Sequence, residues 1–168
     1  MKDIYTFSLA EDADREAVVA LYTACSKLPG CTWSEEYPTR EEFDTDLKNG
    51  WLYCLKDGGK IIAVVSLGDF QELQSIGMPW SEDILRPCEL ARIGVLPHHG
   101  GKGIGTLVLN HAINTARKLN FDGIRLMVSP QNPPAVAMYS RAGFKTVGET
   151  DRFDMHWLCQ ELKLSANV

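Results

Sequence analysis

The chain has 168 residues, of which 45% are hydrophobic and 23% charged, with a formal charge of −5. That length suits one domain of ordinary size, able to bury a core without metal or disulfide help. The acidic balance argues against a general affinity for nucleic acid, and no apolar run reaches the length of a membrane span.

Residues 4–10, IYTFSLA, read as a short strand. The helix that follows places Ala13, Ala17, Val18, Leu21 and Tyr22 on one face. A turn-rich loop, PGCTWSEEYPT, holds Trp33 and Tyr37, and the next helix takes Thr39 as N-cap and Gly50 as its stop. Strands at 51–56 and 60–68 flank Asp57-Gly58-Gly59, a strong hairpin signal. The stretch from Asp69 to Cys88 has no clean period and reads as a covering loop. ELARIGVLP is a strand ending at Pro97.

A helix over residues 104–119 repeats apolar positions at Leu107, Val108, Ala112, Ile113, Ala116 and Leu119. GIRLMVSP is a further strand, and Asn132 then caps a helix with prolines in its first turn and Gly143 at its end. FKTVGE and DMHWLCQEL close the chain as a strand pair. Strands and helices interleaved in this order specify an α/β domain with a mixed sheet. The five cysteines (Cys25, Cys31, Cys54, Cys88 and Cys159) are scattered without a C-x-x-C pair and read as buried reduced thiols. The N-terminal segment lacks a signal-peptide apolar run, so a cytoplasmic protein is expected.

Gly100, Gly101, Gly103 and Gly105 crowd the junction between the strand at 89–97 and the helix at 104. A plain turn needs one or two glycines. The two common nucleotide loops both fail: Leu96 stands where a P-loop needs its first glycine, and Thr106 where G-x-G-x-x-G needs its third. A glycine-lined turn feeding a helix N-terminus does form a concave site for an anion, with the helix dipole behind it. Lys102 adds a full positive charge, so a phosphate or pyrophosphate is the expected ligand. Adjacent His98 and His99 point to opposite sides of an extended segment, and His111 and His156 lack partners at ligand spacing. No metal site is expected.

VLPHHGGKGIGTLVL followed by NPPAVAMYSRAGF resembles the two signature motifs of the GNAT superfamily of N-acetyltransferases. The matching residues are Val95, Pro97, Gly101, Gly103, Ile104 and Gly105, then Asn132, Ala135, Tyr139, Gly143 and Phe144. Gly100 departs from the pattern, standing where Arg or Gln is usual. The resemblance implies one GNAT-like domain over residues 1–168, its mixed, mostly antiparallel sheet having about six to seven strands flanked by helices. It implies acetyl-CoA as co-substrate, with the pyrophosphate on Gly100, Gly101, Lys102, Gly103, Ile104, Gly105 and Thr106. It assigns the pantetheine arm to Ile93, Gly94 and Val95, with Asn132 also on the CoA arm.

For the chemistry, the resemblance assigns Tyr139 as general acid to the departing thiolate and Glu89 as base for the amine. Each also has an ordinary reading: a core tyrosine, a solvated strand-end glutamate, a helix cap at Asn132, a plain buried strand at 92–95. The acceptor pocket falls to Trp33, Tyr37 and Trp80, with Trp157 as a further candidate. Aromatic walls near Glu35, Glu36 and Glu82 suit a cationic amine, though the same aromatics also suit a core. The expected partner is a small-molecule or peptide amine, with no nucleic acid and no membrane; a homodimer is compatible with the family. The alternative from another class is a regulatory module that binds CoA or acetyl-CoA without turnover.

Overall fold

The computed structural model describes residues 5–165. Strand β1 (Tyr5–Leu9) precedes helices α1 (Arg15–Cys25) and α2 (Arg40–Asn49). Then come β2 (Leu52–Asp57), β3 (Lys60–Gly68), β4 (Pro87–Val95), α3 (Ile104–Lys118) and β5 (Gly123–Val128). Helix α4 (Pro133–Ala142) and the strands β6 (Lys145–Arg152) and β7 (Met155–Lys163) complete the chain. Short 3-10 turns at Asp12–Asp14, Leu73–Ser75 and Pro97–His99 punctuate it. The seven strands form one sheet in the order β1-β2-β3-β4-β5-β7-β6. Strand β4 runs parallel to β5, while β1–β2, β2–β3, β5–β7 and β6–β7 are antiparallel.

Local chemistry places the boundaries. The Thr39 amide donates to Glu42 at 2.7 Å and the Thr39 hydroxyl accepts from the Glu41 amide, a reciprocal cap that starts α2. Gly50, at φ +69°, ends that helix in the left-handed conformation. Asn132 accepts from the Ala135 amide at 3.3 Å and starts α4, as its position ahead of two prolines implies. Ile4, the first residue of the expected N-terminal strand, lies outside the described residues.

The backbone divides into two compact units. Among the described residues, one comprises the chain from Tyr5 to Leu67 with Arg92–His111; the other is Gly68–Ala91 with the chain from Ala112 to Ser165. In the first, Val18, Leu21, Tyr22 and Cys25 of α1 pack with Phe43 of α2 and with Leu52, Cys54, Ile61 and Val64 of the β2–β3 hairpin. The α1 face differs from the periodic reading, since Ala13 and Ala17 are exposed and Asp14 is buried. Asp14 accepts the Glu11 amide and pairs with Lys56 at 3.0 Å, so an acid takes the inward position at the helix start. Phe7 stacks on Tyr53 and on His111, which gives that histidine a packing role.

In the second unit Ile124 and Leu126 of β5 are fully buried, as is Cys159 of β7. Leu119, expected on the inner face of α3, is 44% exposed because α3 ends at Lys118. All five cysteines are free thiols, four of them buried and Cys31 half-buried. No helix among the described residues is long and apolar enough to cross a membrane.

Candidate functional site

The glycine loop lies in the first unit. Pro97–His99 forms a tight turn, closed by the His99 amide on Leu96 O at 2.8 Å and the Gly100 amide on Pro97 O at 3.2 Å. His98 and His99 therefore sit in a 3-10 turn rather than on an extended segment. Gly101 and Gly103 then take φ +73° and +78°, a region that side chains disfavour. A Cβ at either would meet nothing within 4 Å, so the chain's own packing does not require glycine there. The backbone conformation does. The first α3 bond runs from the Leu107 amide to Gly103 O at 3.0 Å. The amides of Ile104, Gly105 and Thr106 thus belong to the helix's first turn, where no intrahelical acceptor exists. With the exposed Lys102 beside them, they make a donor-rich, cationic surface that fits a pyrophosphate.

Upstream of the loop, β4 is irregular. Arg92 has φ +49°, a strained value for a non-glycine residue inside a strand. Its guanidinium explains how the strain is held. Nε and Nη2 donate to the two Asp46 oxygens at 3.0 and 2.8 Å, and Nη1 donates to the Tyr37 hydroxyl at 3.0 Å. Asp46, on α2, is 1% exposed and also accepts the buried Ser66 hydroxyl at 2.5 Å. This forked, buried ion pair ties α2 and the 33–37 loop to the kink in β4. Sequence reading missed it; the one signal was a charged residue inside the apolar run LARIGV.

Removing one partner of a buried pair strands the other charge. Asp46→Ala is accordingly expected to lower unfolding stability by about 3–5 kcal/mol in urea titrations. Asp46→Asn, which keeps one acceptor, should lose less. A loss below about 1 kcal/mol for Asp46→Ala would mean that Arg92 is adequately solvated without it.

The β4 residues assigned to the pantetheine arm have neighbours of their own. A Cβ on Gly94 would lie 2.8 Å from the Trp33 ring and 3.3 Å from Cys25 Sγ. The close approach that requires glycine there is therefore Trp33, from the same chain. Trp33 in turn meets Tyr22 edge-on, with centroids 5.6 Å apart. The Cys25 thiol, pushed up to about 11 by burial, stays protonated and donates to Val95 O at 3.2 Å. Trp33 and Tyr37 are thus brought to the second half of β4, one by packing and one by hydrogen bonding. Glu35 and Glu36 are exposed.

Glu89, Trp80, Tyr139 and Asn132 lie in the second unit. The β4–β5 ladder covers Pro87–Glu89, the first three of nine β4 residues, so Glu89 stands where parallel pairing stops. Its side chain is 6% exposed and accepts the Leu73 amide at 3.1 Å. Burial raises its proton affinity to about 7, with Glu72 and Asp69 adding to the rise and the Leu73 amide opposing it. A carboxyl poised there can accept a proton near neutral pH. Trp80 donates its indole N–H to Leu73 O at 3.3 Å and lies over the Arg125 guanidinium. Tyr139, on α4, is 4% exposed, and burial drives its phenol upward, so it remains a protonated acid. It packs edge-on against Phe144, 5.5 Å between centroids. Trp157 donates to Arg152 O at 2.9 Å across the β6–β7 turn, a local hairpin contact. No cluster of three metal-ligating side chains occurs among the described residues.

Comparison with known proteins gives the family and the fold. The profile of the acetyltransferase (GNAT) family matches residues 9–144. A streptothricin acetyltransferase of Streptomyces lavendulae is 31% identical over 93 residues, 55% of this chain and 47% of that protein. The chain thus spans about half the length of that relative. YwnH of Bacillus subtilis, provisionally named a phosphinothricin acetyltransferase, is 27% identical across 94% of this chain and 99% of its own length. Among solved structures, yncA of Salmonella typhimurium, determined with its cofactor acetyl-CoA, matches with a TM-score of 0.73 at 18% identity. That match covers 98% of this chain and 96% of the other, and its likeness is one of fold.

Proposed function

Because the chain belongs to the acetyltransferase (GNAT) family, we propose that it moves an acetyl group from acetyl-CoA to an amine by direct attack on the thioester. The observation that carries the reading is Glu89, a buried carboxyl that stands where the β4–β5 ladder ends and accepts the Leu73 amide. Acetyl-CoA supplies the activated acyl carbon. The loop Gly100–Thr106 binds the pyrophosphate through its backbone amides and Lys102. Ile93, Gly94 and Val95 line the pantetheine arm, joined by Asn132.

Glu89 takes the proton that the ammonium must lose before its nitrogen can attack. Tyr139, kept neutral by burial, gives a proton to the departing thiolate. Trp33, Tyr37 and Trp80 contact the acceptor. The names of the relatives, which pair acetyltransferase with streptothricin and phosphinothricin, support a small-molecule amine over a protein. Gly100, lacking the usual Arg or Gln side chain, keeps a non-catalytic binding module as the second reading.

The test is release of CoA thiol from acetyl-CoA against small amines, polyamines, amino acids and peptide N-termini. Turnover is expected with at least one class. Tyr139→Phe should lower that turnover by about 10- to 1000-fold with acetyl-CoA affinity unchanged. Tight acetyl-CoA binding with no thiol release from any acceptor would make the protein a binding module. Full turnover by Tyr139→Phe would return Tyr139 to a packing role.

A further inference from the structure

Three charged residues lie abreast on consecutive strands of the second unit. Glu89 of β4 is the register partner of Arg125 on β5, and Arg125 is the register partner of Glu161 on β7. Directly opposed residues project to the same face of a sheet. All three are buried, at 6%, 7% and 7% exposure. Such a row is costly unless each charge is engaged. What engages it is the segment between β3 and β4, which sequence periodicity left without a structure.

Glu161 accepts the Ser81 amide on both oxygens at 3.2 Å, and the Ser81 hydroxyl donates to it as well. The Arg125 guanidinium lies 5.0 Å from the Trp80 ring centroid. Arg125 Nε is 3.8 Å from Glu161, too far for a hydrogen bond, and is a buried donor without an acceptor among the described residues. The Glu161 charge and the Trp80 ring hold Arg125. From Trp80 the connection continues, because its indole N–H reaches Leu73 O and the Leu73 amide reaches Glu89. Tight turns from Ile76 to Leu73, Met78 to Ile76 and Trp80 to Met78 keep the intervening backbone compact. Met78 also presses on Gly148, where a Cβ would lie 2.7 Å from its sulfur.

We propose that Glu161 and Arg125 are positioning residues for Glu89, acting by seating the 72–81 segment, whose Leu73 amide donates to the buried Glu89 carboxyl. The proposal rests on Glu89 being the base, and adds what sets its proton affinity. The charged groups facing Glu89 are Asp69 and Glu72 from the stretch between β3 and β4 and its register partner Arg125 on β5; Cys88 is its neighbour on β4. Burial is the largest influence and raises the proton affinity, whereas the Leu73 amide lowers it by less. Loosening the segment removes both. The net effect is downward, toward an ordinary glutamate. An Arg125 released from Glu161 and turning toward Glu89 would push the same way.

The experiment follows Glu89 directly, by carboxyl carbon NMR of the glutamate-labelled protein, its resonance identified by its loss in Glu89→Gln. In Glu161→Gln the Glu89 midpoint should fall by about one pH unit from its position near 7. In Ser81→Ala, which removes only the hydroxyl donor, it should fall by less. The acidic limb of kcat/KM should move with the midpoint in both. Unchanged midpoints in folded Glu161→Gln and Ser81→Ala proteins would overturn the proposal. If Glu161→Gln does not fold, Ser81→Ala decides alone, since it leaves the Glu161–Arg125 pair intact. A midpoint that falls while the kinetic limb stays fixed would uphold the positioning and refute Glu89 as the base.

Discussion

A Gly103→Val protein is expected to fold and yet to bind acetyl-CoA on the order of 100-fold more weakly, or not at all. Gly103 sits at φ +78° with nothing near its Cβ position, so valine meets no clash within the chain. The strain is in the backbone. A β-branched residue in the left-handed region is disfavoured by about 1–2 kcal/mol, and the local relief is a change of φ. Gly103 O accepts the first hydrogen bond of α3, so that change disturbs the turn presenting the amides of Ile104, Gly105 and Thr106. Each amide–phosphate bond is charge-assisted and strong, and losing two is enough for the expected drop.

Gly50 supplies the control. It has φ +69° and equally open surroundings, but it closes α2. Gly50→Val carries the same strain and should lose comparable stability while binding acetyl-CoA normally. Lys102→Ala should weaken binding less than Gly103→Val, and its deficit should shrink in high salt. Calorimetry showing parental affinity in folded Gly103→Val would remove the loop from the binding site.

The features legible in the sequence are those whose causes are local. Thr39 and Asn132 announce helix starts because a side-chain oxygen three residues from its backbone donor needs no tertiary partner. Gly58 and Gly59, both at positive φ, announce the β2–β3 turn for the same reason. The loop at 100–105 was readable because four glycines in six positions have few other uses. Arg92 was not readable. Its partners Asp46 and Tyr37 lie 46 and 55 residues away, and nothing in FDTDLK or WSEEYP marks either as an ion-pair acceptor.

Gly94 shows a local signal whose neighbour is supplied by tertiary packing. A glycine inside a strand does mark a close approach, but the approaching group is the Trp33 ring. Glu89 shows a third kind of limit. Its place on β4 follows from the strand pattern, whereas its proton affinity depends on Leu73 and the aperiodic segment that covers it. The chemistry of the candidate site thus resides in the stretch with the weakest periodic signal.

Glu89→Gln is expected to lower kcat/KM for a strongly basic amine by about 10²- to 10⁴-fold, the span of losing a general base. Glutamine keeps the size and the acceptor for the Leu73 amide, but it cannot take a proton. In the parent protein the acidic limb should have its midpoint near 7, because activity falls as Glu89 becomes protonated. The variant should lack that limb. A second consequence follows from linkage. The folded-state value lies above the ordinary 4.5, so between about 4.5 and 7 the folded protein binds more protons than the unfolded chain. Glu89 therefore subtracts stability as pH rises through that window, and Glu89→Gln removes this part of the slope in thermal melts without ligand. Melting confirms the titration; it does not establish the role. The role is separated by acceptor basicity. An amine already neutral at the assay pH needs no base to become a nucleophile, so its rate should be affected far less by the substitution. An equal loss for basic and weakly basic acceptors would assign Glu89 to orienting the amine or holding β4, with solvent receiving the proton.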